Sequence, residues 1–264
     1  MKDYKNIISL SKNERGIWDL DTIKGCKSGL LENPKGCYND CYAYKTAKRY
    51  GIDFSKSIER SFQNEAHKQS IIKQIERIDM PFIRIGCSGD PSENWEHTIN
   101  IIKQIRESSQ LSLFDISSTK QIVIITRHWN KLTDIQLKEI SKYNICINTS
   151  VSALDSEKLI NNSLNEYERL KPYCKSVLRV VTCDFNEDNE IGKQMAETQR
   201  KLLKNKGFID TVFRPSSKND FVIKGVIKTK KMSFMKSKVL ISKFNKKTFV
   251  GKCENCLEMC GLNN

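Results

Sequence analysis

Residues 82–90 read FIRIGCSGD: a short apolar strand, Phe82 to Ile85, that ends in Gly86 and a run of turn residues. A near-continuous apolar run of this length suits a strand buried on both faces, the habit of parallel sheets. Behind it, Trp95, Ile99, Ile102 and Ile105 recur on one helical stripe. The alternation then repeats. IVIIT (residues 122–126) predicts a strand and residues 133–142 a short helix. A strand follows from Ile145 to Val151, then a helix with Asp155 as its N-cap running to about Lys171. SVLRVVTC (residues 176–183) predicts the next strand, residues 190–205 a helix stopped at Gly207, and TVFRP (residues 211–215) the last strand of the series. Upstream, residues 57–78 carry Ile58, Phe62, Ile72, Ile75 and Ile78 at helical spacings, and an early strand falls near Ile17–Ile23. About six βα units result. The expected fold class is α/β, a partial (βα)6-type barrel with a small basic β and metal-binding C-terminal tail. A doubly wound open sheet shares the same pattern, because nothing in the sequence sets strand order.

The texture changes after Pro215. FVIKGVIKTKKMSFMKSKVLISKFNKKTFVG (residues 221–251) alternates apolar and basic residues and predicts a small antiparallel sheet or hairpin. We therefore divide the chain into a βα domain over residues 1–217 and a basic segment over 218–264. The formal net charge of +14 is segregated the same way. Residues 201–252 hold 15 basic residues against Asp210 and Asp220, whereas residues 1–200 hold 30 basic against 27 acidic. Concentrated positive charge is the footprint of a polyanion-binding face. Phe221, Phe234, Phe244 and Phe249 interleave with lysines that include Lys228, Lys230 and Lys231, so phosphates could be neutralised and unpaired bases stacked. An amphipathic sheet with Phe inward and Lys outward has the same alternation. The expected partner is a nucleic acid or nucleotide.

Ten cysteines complete the pattern, six of them in two tight groups. Cys26, Cys37 and Cys41 lie in GCKSGLLENPKGCYNDCYAYK, and Cys253, Cys256 and Cys260 in KCENCLEMCG. Several soft sulfur ligands on a short, turn-rich loop are what a metal ion or iron–sulfur centre requires. The N-terminus has no apolar core of signal-peptide length and no apolar run reaches the length of a membrane span. The expectation is a cytoplasmic protein with no membrane contact and with reduced thiols. The CxxCxxxC group predicts a second metal centre, zinc or an auxiliary iron–sulfur cluster. For zinc its fourth ligand would come from Cys87, Cys146, Cys174, Cys183, His67, His97 or His128.

The first group, as GCYNDCYAY after a presumed first strand, resembles the radical SAM enzymes, nearest to uncharacterised phage-associated members and the spore photoproduct lyase neighbourhood. The resemblance implies a [4Fe–4S] cluster on Cys26, Cys37 and Cys41, with S-adenosyl-L-methionine on the fourth iron and an external electron donor of the flavodoxin or ferredoxin type. It implies that the reduced cluster cleaves that cofactor to a 5′-deoxyadenosyl radical. The spacing departs from the family's: ten and three residues separate the ligands here, against three and two. Further positions are implied for the cofactor: Tyr42 beside the adenine, and Ser88, Gly89 and Asp90 where the family binds the methionyl amino group. Polar residues at the carboxyl ends of strands extend the set, with Asn148, Ser150 and Arg179 for the cofactor and Arg127, His128 and Arg214 for substrate. The expected activity is a radical SAM enzyme that modifies or repairs a nucleic acid or nucleotide. Two alternatives remain: a non-enzymatic zinc protein that binds nucleic acid, and a radical SAM enzyme acting on a protein or peptide.

Overall fold

A computed structural model describes residues 6–13, 16–32, 37–110, 120–182, 184–204, 209–212, 222–223, 227–228, 240–241, 249–250 and 259–263. Its centre is a seven-stranded sheet. In chain order the strands that build it are β1 (Leu10–Lys12), β2 (Trp18–Leu20), β5 (Phe82–Ile85), β6 (Gln121–Thr126), β7 (Ile145–Val151), β8 (Lys175–Thr182) and β10 (Ile209–Val212). They also lie side by side in that order. Six strands, β2 to β10, are parallel, and β1 is an antiparallel edge strand on β2. The pairing is that of an open sheet, with β1 and β10 as its edges.

Helices connect the parallel strands: α4 (Glu65–Arg77), α5 (Trp95–Gln110), α6 (Asp134–Ile140), α7 (Glu157–Leu170) and α8 (Glu190–Leu202). Sequential strand order with right-handed crossovers places the connecting helices on one face. That face carries Ile83, Ile85, Ile122, Ile124, Ile145 and Ile147, all at most 2% exposed. Residues paired across parallel strands share a face. The register Asp19–Arg84, Arg84–Val123, Val123–Cys146 and Cys146–Lys175 sets one row on the other face, with Asp19, Arg84 and Lys175 as its polar members. Asn148 and Ser150 follow it along β7, and Ser150 pairs with Arg179.

Local chemistry moved several predicted boundaries. The expected helix over 57–78 starts only at Glu65, because Asn64 Oδ1 accepts the His67 N–H at 2.9 Å and caps it. Ile58 instead belongs to β4 (Ile58–Glu59), which pairs antiparallel with β3 (Ile23–Lys24). The early strand near Ile17–Ile23 is thus two pieces, β2 and β3, with Asp21 and Thr22 between them. The helix expected from Asp155 is capped by Ser156, whose hydroxyl accepts Leu159 N–H at 3.2 Å. Asp155 turns back instead, to the Ser152 N–H at 2.8 Å.

In the C-terminal segment, β11 (Val222–Ile223) pairs with β9 (Asp184–Phe185). Strands β12 (Ile227–Lys228), β13 (Leu240–Ile241) and β14 (Phe249–Val250) form a three-stranded antiparallel sheet. Gly207, Arg214, Lys230, Lys231, Cys253 and Cys256 lie outside the described residues, as does the Lys228 side chain. Among the described residues no helix is long and apolar enough to cross a membrane.

Candidate metal centre

The first cysteine group sits on a loop held against the carboxyl ends of the central strands. Gly25 N–H donates to Ser88 O at 3.0 Å, and Asp90 N–H returns to Gly25 O at 3.2 Å. Cys26 N–H donates to Phe54 O at 2.8 Å. The chain then enters α1 (Lys27–Glu32), α2 (Cys37–Asp40) and α3 (Tyr42–Arg49), with Cys41 at the junction of the last two. Ser28 N–H in α1 is held by Glu93 Oε1 at 2.7 Å, which fixes this loop to the βα turn after β5.

That turn is shaped by two carboxylates. Asp21 accepts the N–H groups of Gly86, Cys87 and Ser88 at 2.9, 2.8 and 2.9 Å, and the Ser88 hydroxyl as well. Asp90 joins β5 to β6: Oδ1 accepts Thr126 Oγ1 at 2.6 Å and Ser92 N–H at 3.0 Å, and Oδ2 accepts the Arg127 and His128 N–H groups, each at 2.9 Å. Gly86 has φ +100°, and a Cβ there would lie 2.1 Å from Ile125 O, so only glycine fits. A Cβ on Gly89 would lie 2.3 Å from Ile23 O. Ser88, Gly89 and Asp90 thus build the wall behind the cysteine loop. The Asp90 carboxylate, expected at the cofactor, has both oxygens engaged by the protein.

His128 enters the cysteine loop. Its Nε2 is 3.4 Å from Cys37 Sγ, its Nδ1 is 3.2 Å from Glu32 Oε2, and it is 3% exposed. Burial opposes the charged ring, but the hydrogen bond and charge of Cys37, with Asp90, outweigh it and raise the pKa to about 9. Burial pushes the Cys26 thiol up, and the charges of Asp90, Glu93 and Cys37 add to it. Burial likewise raises Cys41. The N–H groups of Tyr44 and Ala43 oppose the rise, Cys37 adds to it and Arg127 opposes it. Cys26 and Cys41 each feel Cys37, so the three thiols share one neighbourhood. No group of three or more His, Cys, Asp or Glu side chains stands at metal-binding separation among the described residues.

The donor set fits a thiolate-bound centre on a second count. In α1, Gly29 leaves room where a Cβ would lie 2.7 Å from Cys26 Sγ and 3.2 Å from His128 Nε2. Arg127, expected at substrate, reaches Asp155 Oδ1 with Nε at 3.0 Å and Nη2 at 2.6 Å. Tyr42 is 66% exposed, and its hydroxyl donates to Cys87 O at 2.6 Å.

The polar sheet face lies beneath. Cys87 Sγ donates to Asp19 Oδ1 at 3.0 Å, and Arg84 Nε donates to the same oxygen at 2.9 Å. Burial holds the Cys87 thiol well above its usual range, Arg84 opposes that, and Asp21 and Asp19 reinforce it. Asn148, fully buried, donates from Nδ2 to Cys260 O at 3.0 Å, while its Oδ1 has no partner among the described residues. Lys175 Nζ donates to Leu262 O at 2.7 Å. The third cysteine of the C-terminal group therefore rests on the same sheet face as Asn148, close enough to Cys146 and Arg84 to act on their charge.

Sequence reading missed Glu32, Asp19, Asp21 and Arg84. Asp19 and Asp21 carried one available signal: two carboxylates inside an apolar early strand, WDLDTI. No family model, no curated protein and no solved structure matches this chain.

Proposed function

We propose that the chain is a radical SAM-type enzyme that modifies or repairs a nucleic acid or nucleotide. The observation that carries this reading is the delivery of three thiols to the carboxyl ends of β5 and β6, where parallel βα folds build active sites. On this reading the βα series curls into a partial (βα)6-type barrel whose mouth is that edge. Cys26, Cys37 and Cys41 would hold a [4Fe–4S] cluster; with S-adenosyl-L-methionine bound and one electron from an external flavodoxin or ferredoxin, that group would supply reductive cleavage of the sulfonium to methionine and a 5′-deoxyadenosyl radical.

The protein's own part is positioning. Asp21 and Asp90 keep the β5 turn rigid beneath the cysteine loop. Ser88, Gly89 and Tyr42 border the mouth. Asn148, Ser150 and Arg179 line the polar face below it, where the unpartnered Asn148 Oδ1 offers an acceptor to a ligand hydroxyl or amine. The basic segment, with Lys228, Lys230, Lys231 and Arg214, draws in the polyanion. An auxiliary centre on Cys253, Cys256 and Cys260 belongs to the same proposal.

The test is anaerobic reconstitution with iron and sulfide, then addition of S-adenosyl-L-methionine and dithionite. A brown protein absorbing at about 400 nm that releases 5′-deoxyadenosine supports the reading. A colourless protein with tightly bound zinc supports the second reading, a zinc protein that binds nucleic acid without catalysis. One observation favours that second reading: His128 beside Cys37 makes a Cys3His donor set possible.

A further inference from the structure

Cys37 and His128 lie 91 residues apart in the chain and meet at 3.4 Å. The Glu32 carboxylate, 3.2 Å away, faces Nδ1. With Nδ1–H donating to Glu32, loss of the Nε2 proton to an incoming ion would leave the Nε2 lone pair facing Cys37 Sγ. A buried imidazole with one nitrogen on a carboxylate and the other turned toward thiols is the arrangement of a metal-ligating histidine. The carboxylate sets the tautomer, orients the ring and makes the free nitrogen a better donor.

The distance agrees. An ion about 2.3 Å from sulfur and about 2.05 Å from nitrogen, in tetrahedral geometry, sets an S···N edge of roughly 3.5 Å. The metal would take the place of the thiol proton with little movement of either side chain. Gly29 adds Cys26 to the group, since Cys26 Sγ and His128 Nε2 border the same glycine. Cys41 follows Cys37 by four residues, at the N-cap of α3.

We infer that His128 is the fourth protein ligand of the centre held by Cys26, Cys37 and Cys41, binding through Nε2, with Glu32 as a positioning residue. The inference rests on the proposed function only for the identity of the metal. If the centre is a four-iron cluster, His128 would hold the iron that S-adenosyl-L-methionine would need, and cofactor binding would have to displace it. If the centre is zinc, His128 closes the site.

The same three side chains could also serve a thiol nucleophile, with His128 as base and Glu32 as its orienter. The presence of Cys26 and Cys41 beside Cys37 favours the metal, because a nucleophile needs no further thiols.

The experiment uses the full chain from cells fed 15N-histidine, purified anaerobically, with iron and zinc measured per chain. For an iron centre, pulsed electron paramagnetic resonance of the reduced protein without S-adenosyl-L-methionine reads histidine nitrogen coupling. For a zinc centre, replacement by Co2+ reads the ligand field of three sulfurs and one nitrogen. The expected result is a histidine signal in the wild type that is lost in His128→Ala. Glu32→Gln should retain the signal with metal affinity lowered by about 10- to 100-fold.

The wild-type spectrum needs no variant, so a folding defect in His128→Ala leaves the inference testable. Iron with S-adenosyl-L-methionine cleavage but no histidine coupling overturns the inference and leaves the proposed function standing. Zinc with a sulfur–nitrogen cobalt spectrum does the reverse. A metal-free protein in which iodoacetamide selectively alkylates Cys37 overturns both, in favour of a nucleophile.

Discussion

At the strand ends, Cys26, Cys37 and Cys41 lie at the starts of three short helices, and Cys37 meets the buried His128 through its side chain. On the sheet face beneath, Cys260 is held by its backbone: its carbonyl accepts from Asn148, and Gly261 packs on Val177. Both regions come from a run of three cysteines in the sequence, yet the fold handles them differently. At the first, thiols and imidazole face one another and backbone carbonyls hold the frame. At the second, the described cysteine is anchored by main chain and buried contacts. Grouping in sequence thus marks where sulfur is available, while the packing around each sulfur decides what it can hold.

The comparison can be broken most directly at Cys41. Cys41→Ala should abolish both the absorbance at about 400 nm and 5′-deoxyadenosine release, because two thiolates cannot anchor a four-iron cluster. Cofactor cleavage at the wild-type rate would remove Cys41 from the centre. The matching triple alanine variant of Cys253, Cys256 and Cys260 should lower metal content and leave the first centre intact. Unchanged iron and zinc would return those cysteines to ordinary thiols.

Asp90→Ala tests whether the frame behind the first group is as rigid as its bonds imply. The variant strands Thr126 Oγ1 and the N–H groups of Ser92, Arg127 and His128. A stability loss of about 3 kcal/mol in denaturant titration is expected, and His128 should lose its register with Cys37. A variant as stable as wild type would show that the carboxylate is dispensable.

The basic segment should respond to salt. Each phosphate neutralised contributes about −0.7 to the slope of log affinity against log salt for a single strand and about −0.9 for duplex DNA. Charge reversal at Lys228, Lys230 and Lys231 should flatten that slope by about 2 to 3 and weaken all sequences alike. An unaltered slope would mean that these lysines are only a solvated surface, and a protein or small molecule would become the better substrate.

The smallest effect is expected at the second region. Asn148→Ala removes the bond to Cys260 O and costs about 1 kcal/mol, with faster amide exchange confined to residues 259–263. Unchanged exchange there would mean that Lys175 and the Val177 contact suffice to hold the turn.

Much of this was legible before folding. The apolar runs at Phe82, Ile122, Ile145 and Val177 predicted a parallel βα series, because burial on both faces leaves a strand no polar alternation. The helix over 57–78 was misjudged because Ile58 and Phe62 fit a helical spacing. Asn64 ends that possibility by capping a helix that starts after it. Arg127 was read as a substrate ligand from its place at a strand end, but its guanidinium reaches Asp155. A strand end says where a side chain begins and nothing about the carboxylate waiting in the next loop.

By itself the sequence determined the α/β class, the two groups of thiols and the segregation of positive charge, since periodicity, ligand type and charge are all local properties. Only the tertiary structure decided that His128 and Glu32 join the first group, that Asp21 and Asp90 frame it, and that Cys260 rests on the polar sheet face. Those meetings depend on strand order and register, which bring together residues as much as 112 positions apart. No local pattern encodes that order, because each strand's apolar face is equally satisfied beside several neighbours until the whole sheet is packed.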